Sequence, residues 1–224
     1  MSTQNRGPAA PEREALGLRE RKKQQTRQAI SDVATRMFIE RGFENVTVAE
    51  VAAAAGVSVN TVFNYFTTKE ELFFDRIPEG MDAVMQVVRE RRRGESAVAA
   101  LRRAFRKRVK GDLPFVPEGI GLFHGAIEAS PALKARARMF LEEGQRQLAA
   151  LLAEETGTPP DDATAQTVAA MTVGVWWMMW QELHRRTLAG EPSEVVRAAV
   201  SKLGERGFEL LLAATGDYCV RASD

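Results

Sequence analysis

The sequence predicts an all-α protein, and three observations predict it. Apolar residues recur at three- and four-residue spacing along nearly the whole chain, as in Ile30, Val33, Ala34, Met37 and Phe38. Residues that cap helix starts, among them Thr47 and Ser58, stand immediately before several of these periodic stretches. Short runs rich in Gly, Pro and Asp, such as "GTPPDD" and "GEP", separate the later ones. With 224 residues, 45% of them apolar, the chain can bury one substantial core or a small module beside a larger one.

Residues 1–18, rich in Pro, Ala, Glu and Arg, are expected to form a flexible N-terminal arm. A helical pattern begins near Arg19 and stops at Gly42 in "ERGF", where a left-handed C-terminal cap suits glycine. Thr47 with Glu50 three residues later is a capping box, so a second helix starts there and runs to Gly56. Ser58 caps a third helix, "VNTVFNY", and Thr67 or Thr68 a fourth, "KEELFFDRI". Only "AGV" separates the second helix from the third, too short for an antiparallel pair, so the two must cross steeply around Gly56 as a helix-turn-helix. Val51, Ala52, Ala55, Val57 and Val62 are its expected inner residues, with Phe38 and Phe66 closing the core from the flanks.

The outward face of the third helix carries Val59, Asn60, Thr61, Asn64 and Tyr65, short polar or stacking groups suited to base edges and phosphates in a major groove. Lys69, at the start of the fourth helix, combines a cation with free backbone N–H groups, as a phosphate clamp requires. Arg19, Arg21, Lys22, Lys23 and Arg27 against Glu20 give a local charge of 5 − 1 = +4, although the whole chain carries only +1. Nucleic-acid binding would therefore rest on this local asymmetry.

At these residues the stretch "TVAEVAAAAGVSVNTVFNYFTTKEELF" resembles the DNA-binding domain of the TetR/AcrR family of transcriptional regulators. The resemblance covers about a third of the chain. It implies that Thr47, Asn60, Thr61, Tyr65 and Lys69 contact DNA, with Ser58 chiefly a cap near phosphate. Asn64 is added from its place on the outward face. Val59-Asn60 and the residue before Tyr65 depart from the commonest form of the motif, which leaves the operator sequence open. The resemblance further implies an N-terminal helix-turn-helix DNA-binding domain, residues 19–68, and a C-terminal helical ligand-binding and dimerisation domain, residues 69–215, with a tail at 216–224.

Beyond Phe74 no motif is quotable, and helical patterns run over 69–93, 96–110, 117–129, 131–156, 161–189 and 192–214. The 161–189 segment is apolar nearly all round, with Val168, Val175, Met179 and Leu183 on one face and Val173, Trp177 and Trp180 on others, so it needs two apolar neighbours. One is its own core. The other is expected to be a second subunit, and Ala169, Ala170 and Gly174 permit close helix approach. In proteins of this family the last two long helices pair with those of the partner, which implies a homodimer.

The run "GVWWMMWQELH" concentrates Trp176, Trp177 and Trp180, and Phe105, Phe115, Phe123, His124 and Met139 lie where they could converge with it. Such a lining suits a flat or lipophilic effector, with His124 or Gln181 as polar handle, and equally suits an ordinary core. No metal spacing surrounds the two histidines, no cofactor is called for, and none of the common catalytic motifs occurs, so no enzyme is expected. The basic run Arg89, Arg91, Arg92 and Arg93, then Arg102, Arg103, Arg106, Lys107, Arg108 and Lys110, reads as a solvated helix face balanced by acidic residues elsewhere rather than a second nucleic-acid surface. One cysteine, no apolar leader and no spanning segment give the expectation of a cytoplasmic, nucleoid-associated protein without a membrane partner. The function expected is that of a homodimeric regulator, a repressor released from a palindromic double-stranded DNA operator by a small lipophilic or aromatic ligand. Two rivals stay open: a ligand-independent DNA-binding protein of the same fold, and a helical small-molecule binding module.

Overall fold

The computed structural model describes residues 10–75, 77–110 and 120–222. Among them the protein is all-α, as expected, and the chain divides into two compact units, Met1–Asp75 and Arg76–Asp224. The division falls beyond the Thr68/Lys69 boundary expected from the sequence.

The first unit holds α1 (Ala10–Arg41), a short 3-10 turn (Phe43–Asn45), α2 (Val48–Ala54), α3 (Val59–Tyr65) and α4 (Lys69–Phe73). Helix α1 starts inside the segment expected to be a flexible arm. The run "EREALGLRERKKQQTR" explains the difference, because Ala, Leu, Glu, Arg, Lys and Gln are the strongest helix formers and Pro11 sits in the first turn, where its missing N–H costs nothing. Phe38 is the centre of the core: its ring centroid lies 4.9 Å from that of Phe43 and 6.3 Å from that of Phe73. Ile30, Ala34, Val46, Val51, Ala52, Val62, Phe66 and Leu72 close around it. Ala55 and Val57, expected inside, are only half-buried. The backbone carbonyl of Leu72 accepts from the Ser31 hydroxyl at 3.0 Å, which ties α4 to α1.

The turn between α2 and α3 is built from two signals. Val57 N–H donates to the Ala52 carbonyl at 3.0 Å and Gly56 N–H to that of Ala53 at 3.2 Å, the paired bonds of a Schellman end, with Gly56 at φ 68°. The Ser58 side chain then accepts from Thr61 N–H and opens α3. A Cβ on Gly56 would meet nothing within 4 Å, so Gly56→Ala is penalised only by the left-handed backbone. We expect a loss of about 1 kcal/mol in chemical denaturation of the unit.

The second unit holds α5 (Ile77–Arg89), α6 (Ala97–Lys110), α7 (Ile120–Ala129), α8 (Pro131–Thr156), α9 (Ala163–Leu188) and α10 (Ser193–Thr215). The single pattern read over 69–93 is thus two helices, α4 and α5. Proline at position 78 cannot donate to a preceding turn, and a helix running through it would lose that bond. The expected helix over 117–129 is described from Ile120 onward, and Phe115 lies outside the described residues. Ala97, Val98, Leu101, Leu148, Leu152, Ala165, Val168 and Phe208 form one core shared by α6, α8, α9 and α10. The short α9–α10 link, with Gly190 at φ 72°, sets these two long helices side by side and antiparallel. Gly204 and Gly207 of α10 face Phe105, Met179 and Val175 so closely that a Cβ would overlap them, which is how the pair approaches. The described residues after α10 are tied down: Ser96 bridges Val220, and Arg91, expected on a solvated basic face, is instead 2% exposed and bonds the Cys219 carbonyl.

Candidate functional site

Helix α3 buries Val62 and turns Val59, Asn60, Phe63 and Asn64 outward, with Thr61 and Tyr65 half-buried at the edges. The face expected from the sequence is therefore presented, and it contains a residue the sequence reading missed. Phe63 is 52% exposed. An exposed Phe on so short a helix has no packing role, and the three-residue step from Asn60 to Phe63 was the available signal.

The capping residues are where they were expected, with their hydroxyls engaged. Thr47 accepts from Glu50 N–H at 3.2 Å, and its own hydroxyl and N–H both donate to the Glu50 carboxylate at 2.8 Å. Arg41, 2.6 Å from that carboxylate, and the Thr47 donors together hold the acid down at about 2. The Ser58 hydroxyl lies 3.0 Å from Thr61 N and 2.8 Å from the Thr61 hydroxyl. These groups preset the starts of α2 and α3, where backbone N–H groups and dipoles favour an anion.

Two cations make contacts inside the first unit that the sequence did not announce. Lys69 Nζ donates to the Phe43 carbonyl at 2.5 Å and sits 4.2 Å from the Phe43 ring centroid, so it fastens the start of α4 to the turn after α1. An ammonium carries three N–H bonds, so this one hydrogen bond does not exhaust it. Arg27 belongs to the interior edge: Nε donates to Asp75 at 2.6 Å, Nη1 to the Tyr65 carbonyl at 2.6 Å, and the guanidinium stacks on Phe66. The exposed basic stretch on α1 is thus Arg19, Arg21, Lys22 and Lys23. On α6, Arg102 and Arg106 pair with Glu205, and Arg103 with Glu95, so those cations are balanced in place. No helix among the described residues is long and apolar enough to cross a membrane, and no cluster of three metal-ligating side chains occurs among them.

The residues expected to line a pocket fall into separate places. His124 of α7 meets Trp180 of α9, the two rings 3.9 Å apart between centroids, and the ring of Phe123 lies 6.3 Å from that of His124. Phe105 and Trp176 belong to the main core instead, Phe105 stacking on Phe208 at 5.5 Å. Met139 is 54% exposed, and Gln181 is exposed as well. Trp177 faces the other way, into a groove of about 930 Å³ between α9 and α10, lined by Met171, Gly174, Met178, Leu203 and Leu210 and rimmed by Glu182, Arg186, Lys202 and Arg206. His184, missed by the sequence reading, stands one turn beyond Trp180, with its ring 4.9 Å from that of His124.

Comparison with known proteins agrees with this geometry. Residues 30–75 match the family described as bacterial regulatory proteins, tetR family, and residues 95–207 match the MftR C-terminal domain. The chain is 34% identical over 155 residues to the HTH-type transcriptional regulator TcmR of Streptomyces glaucescens, covering 65% of this chain and 67% of TcmR. It is 24% identical over 206 residues to the transcriptional regulator MftR of Mycobacterium tuberculosis, covering 83% of this chain and 96% of MftR. The SmeT–triclosan complex shares the fold, with TM-score 0.53 and 19% identity over 85% of this chain and 91% of that one. So does the fatty acid degradation regulator FadR of Bacillus halodurans, with TM-score 0.52 and 18% identity over 84% of this chain and 94% of that one. With a helix-turn-helix that presents Asn60, Phe63 and Asn64 and a second helical unit that matches the MftR type, the chain belongs to the TetR family of DNA-binding transcriptional regulators.

Proposed function

We propose that this regulator is a homodimeric repressor that a small lipophilic or aromatic ligand releases from a palindromic operator. The observation that carries the reading is the open apolar face of α9 and α10. Met171, Met178, Val195 and Leu210 are between 37% and 56% exposed along it. A contiguous apolar surface of this kind marks an interaction site, and a helix pair related to its copy by a two-fold axis makes a self-complementary four-helix contact. The charged rim of Glu182, Arg186, Lys202 and Arg206 fits the polar border of such an interface.

A two-fold dimer presents two α3 helices, so the operator is palindromic, with half-sites about one helical turn or somewhat more apart. In each half-site Asn60 and Asn64 supply paired donors and acceptors for base edges, and Val59 and Phe63 supply apolar contact for thymine methyl groups. Thr47, Ser58, Thr61, Tyr65 and Lys69 lie beside phosphates, as do the exposed cations of α1. Ligand bound in the second unit favours a conformer whose recognition helices no longer match the half-sites. Operator affinity then falls by the ratio of ligand affinities for the two conformers.

Selection of duplexes from a random DNA pool, with Asn60→Ala and Asn64→Ala beside the unchanged protein, tests the reading. The expected result is a palindrome, with each variant losing about 1–3 kcal/mol of affinity and relaxing the preference at one position in each half-site. Recovery of no consensus, or unchanged preference in both variants, sinks it.

A further inference from the structure

Between α7 and α9 the fold buries an imidazole and gives it nothing to bond. His124 is 1% exposed, and neither ring nitrogen has a hydrogen-bond partner among the described residues. The Nδ1 of His184, on the ring beside it, is likewise buried and unpartnered. Trp180 lies against His124 from the same helix as His184, and the ring of Phe123, the preceding residue of α7, has its centroid 6.3 Å from that of His124. Leucine or phenylalanine would pack here without leaving polar atoms unsatisfied, so packing alone does not account for two histidines.

The chemistry of the pair limits what can satisfy it. Burial, reinforced by the neighbouring His184, pushes His124 down to about 4, so this ring is neutral near pH 7. A neutral imidazole offers one N–H donor and one bare nitrogen acceptor. A carboxylate or phosphate, an acceptor only, could take the imidazole N–H but would leave the bare nitrogen without a donor, and its charge would have to be buried beside a neutral ring. A hydrocarbon would leave the nitrogens as they are. A hydroxyl, donor and acceptor at once, can bridge one nitrogen of His124 to Nδ1 of His184 without charge, and the aromatic rings of Trp180 and Phe123 beside His124 suit a planar body behind it.

We propose that His124, His184 and Trp180 form the polar end of the effector site, and that the effector is a neutral planar aromatic compound carrying a phenol-type hydroxyl. This rests on the ligand-responsive reading above. It goes beyond that reading in naming the residues that hold the ligand and the functional group they select.

The chain contains only two histidines, both in this cluster, so histidine side-chain nitrogen NMR reads the site directly. The full-length protein labelled with nitrogen-15 is titrated with 2-naphthol and with 2-methylnaphthalene, which has a methyl in place of the hydroxyl. The expected result is movement of both imidazole signals with 2-naphthol alone, and binding tighter than that of 2-methylnaphthalene by about tenfold or more, because a buried polar site rejects the analogue that leaves it unpaired. In His124→Phe, which keeps a flat apolar group, the preference should fall to near unity, with an unchanged far-UV circular dichroism spectrum and denaturation midpoint reporting that the variant is folded.

Equal binding of both probes, unmoved imidazole signals, or a preference that survives His124→Phe overturns the proposal. Imidazole signals that already show fixed hydrogen bonds without a probe, and keep them with it, mean that buried water satisfies the pair, and overturn it as well. Failure of the unchanged protein to select any palindrome counts instead against the regulator reading, whatever the naphthol contrast shows.

Discussion

Replacing Met178 and Leu210 together by glutamate is expected to leave each chain folded, abolish the dimer, and lower operator affinity by about 10²- to 10⁴-fold, the range that loss of a linked second site produces. Met178 is 55% and Leu210 56% exposed in the single chain, so neither substitution disturbs the core of the second unit. Both side chains line the α9–α10 groove. Across a two-fold interface each appears twice, and four carboxylates would enter a surface whose centre is otherwise apolar. Desolvating them without partners costs far more than the lost methionine and leucine contacts. Sedimentation velocity gives the mass, and titration of a full operator against a single half-site gives the affinity. A monomer whose affinity for the half-site is unchanged while full-operator affinity collapses locates the effect in dimerisation. A variant that stays dimeric would show that the copies meet elsewhere, and the apolar face would need another occupant.

The local devices of this fold were legible because each is written within a few residues. Thr47 and Glu50 close the capping box that their spacing announces, and Gly56 takes the left-handed conformation that a three-residue "AGV" link requires. The outward face of α3 followed from period alone, since Val62 and Phe66 fix the inner stripe. The unusual apolarity of the 161–189 segment also translated directly: Val168, Ala169 and Val173 are buried, while Met171, Trp177 and Met178 face outward.

What could not be read was which helix meets which. Phe105 and Trp176 went to the main core rather than to His124, because residues far apart in sequence share a surface only through tertiary packing. Period did carry one unused clue. Trp176, Trp180 and His184 are four apart and lie on one stripe of α9, whereas Trp177 is turned about 100° away, so a single pocket for all three tryptophans was never compatible with one helix. The fates of Lys69 and Arg27 were hidden for a related reason. The carbonyls of Phe43 and Tyr65 that Lys69 and Arg27 bond lie 26 and 38 residues away in the chain, so no local pattern announces them.

Arg91→Ala should be the most destabilising single change outside the apolar core of the second unit, by about 2–4 kcal/mol, because it strands several groups at once. The guanidinium donates to the Val88 carbonyl at 2.8 Å, to the Cys219 carbonyl at 3.2 Å and to the Glu155 carboxylate at 2.6 Å, and its side chain is only 2% exposed. Glu155, at 28% exposure, can recover water, which keeps the cost below that of a fully buried broken pair. The two carbonyls cannot turn away so easily, since the chain around them is stitched on both sides: Gly94 N–H donates to the Arg221 carbonyl at 2.9 Å and Arg221 N–H to that of Glu95 at 3.1 Å. Lysine at this position should restore only part of the loss, because a single ammonium cannot span donors that the planar fork reaches together. Denaturation followed by tryptophan emission reports the unit that contains all three tryptophans, and thiol titration reports the released tail. Cys219 is 6% exposed and its thiol is pushed up by burial, so it should resist a neutral thiol reagent in the unchanged protein and react in Arg91→Ala. An Arg91→Ala variant with unaltered denaturation midpoint and a still unreactive Cys219 would mean that the tail is held by its backbone bonds alone.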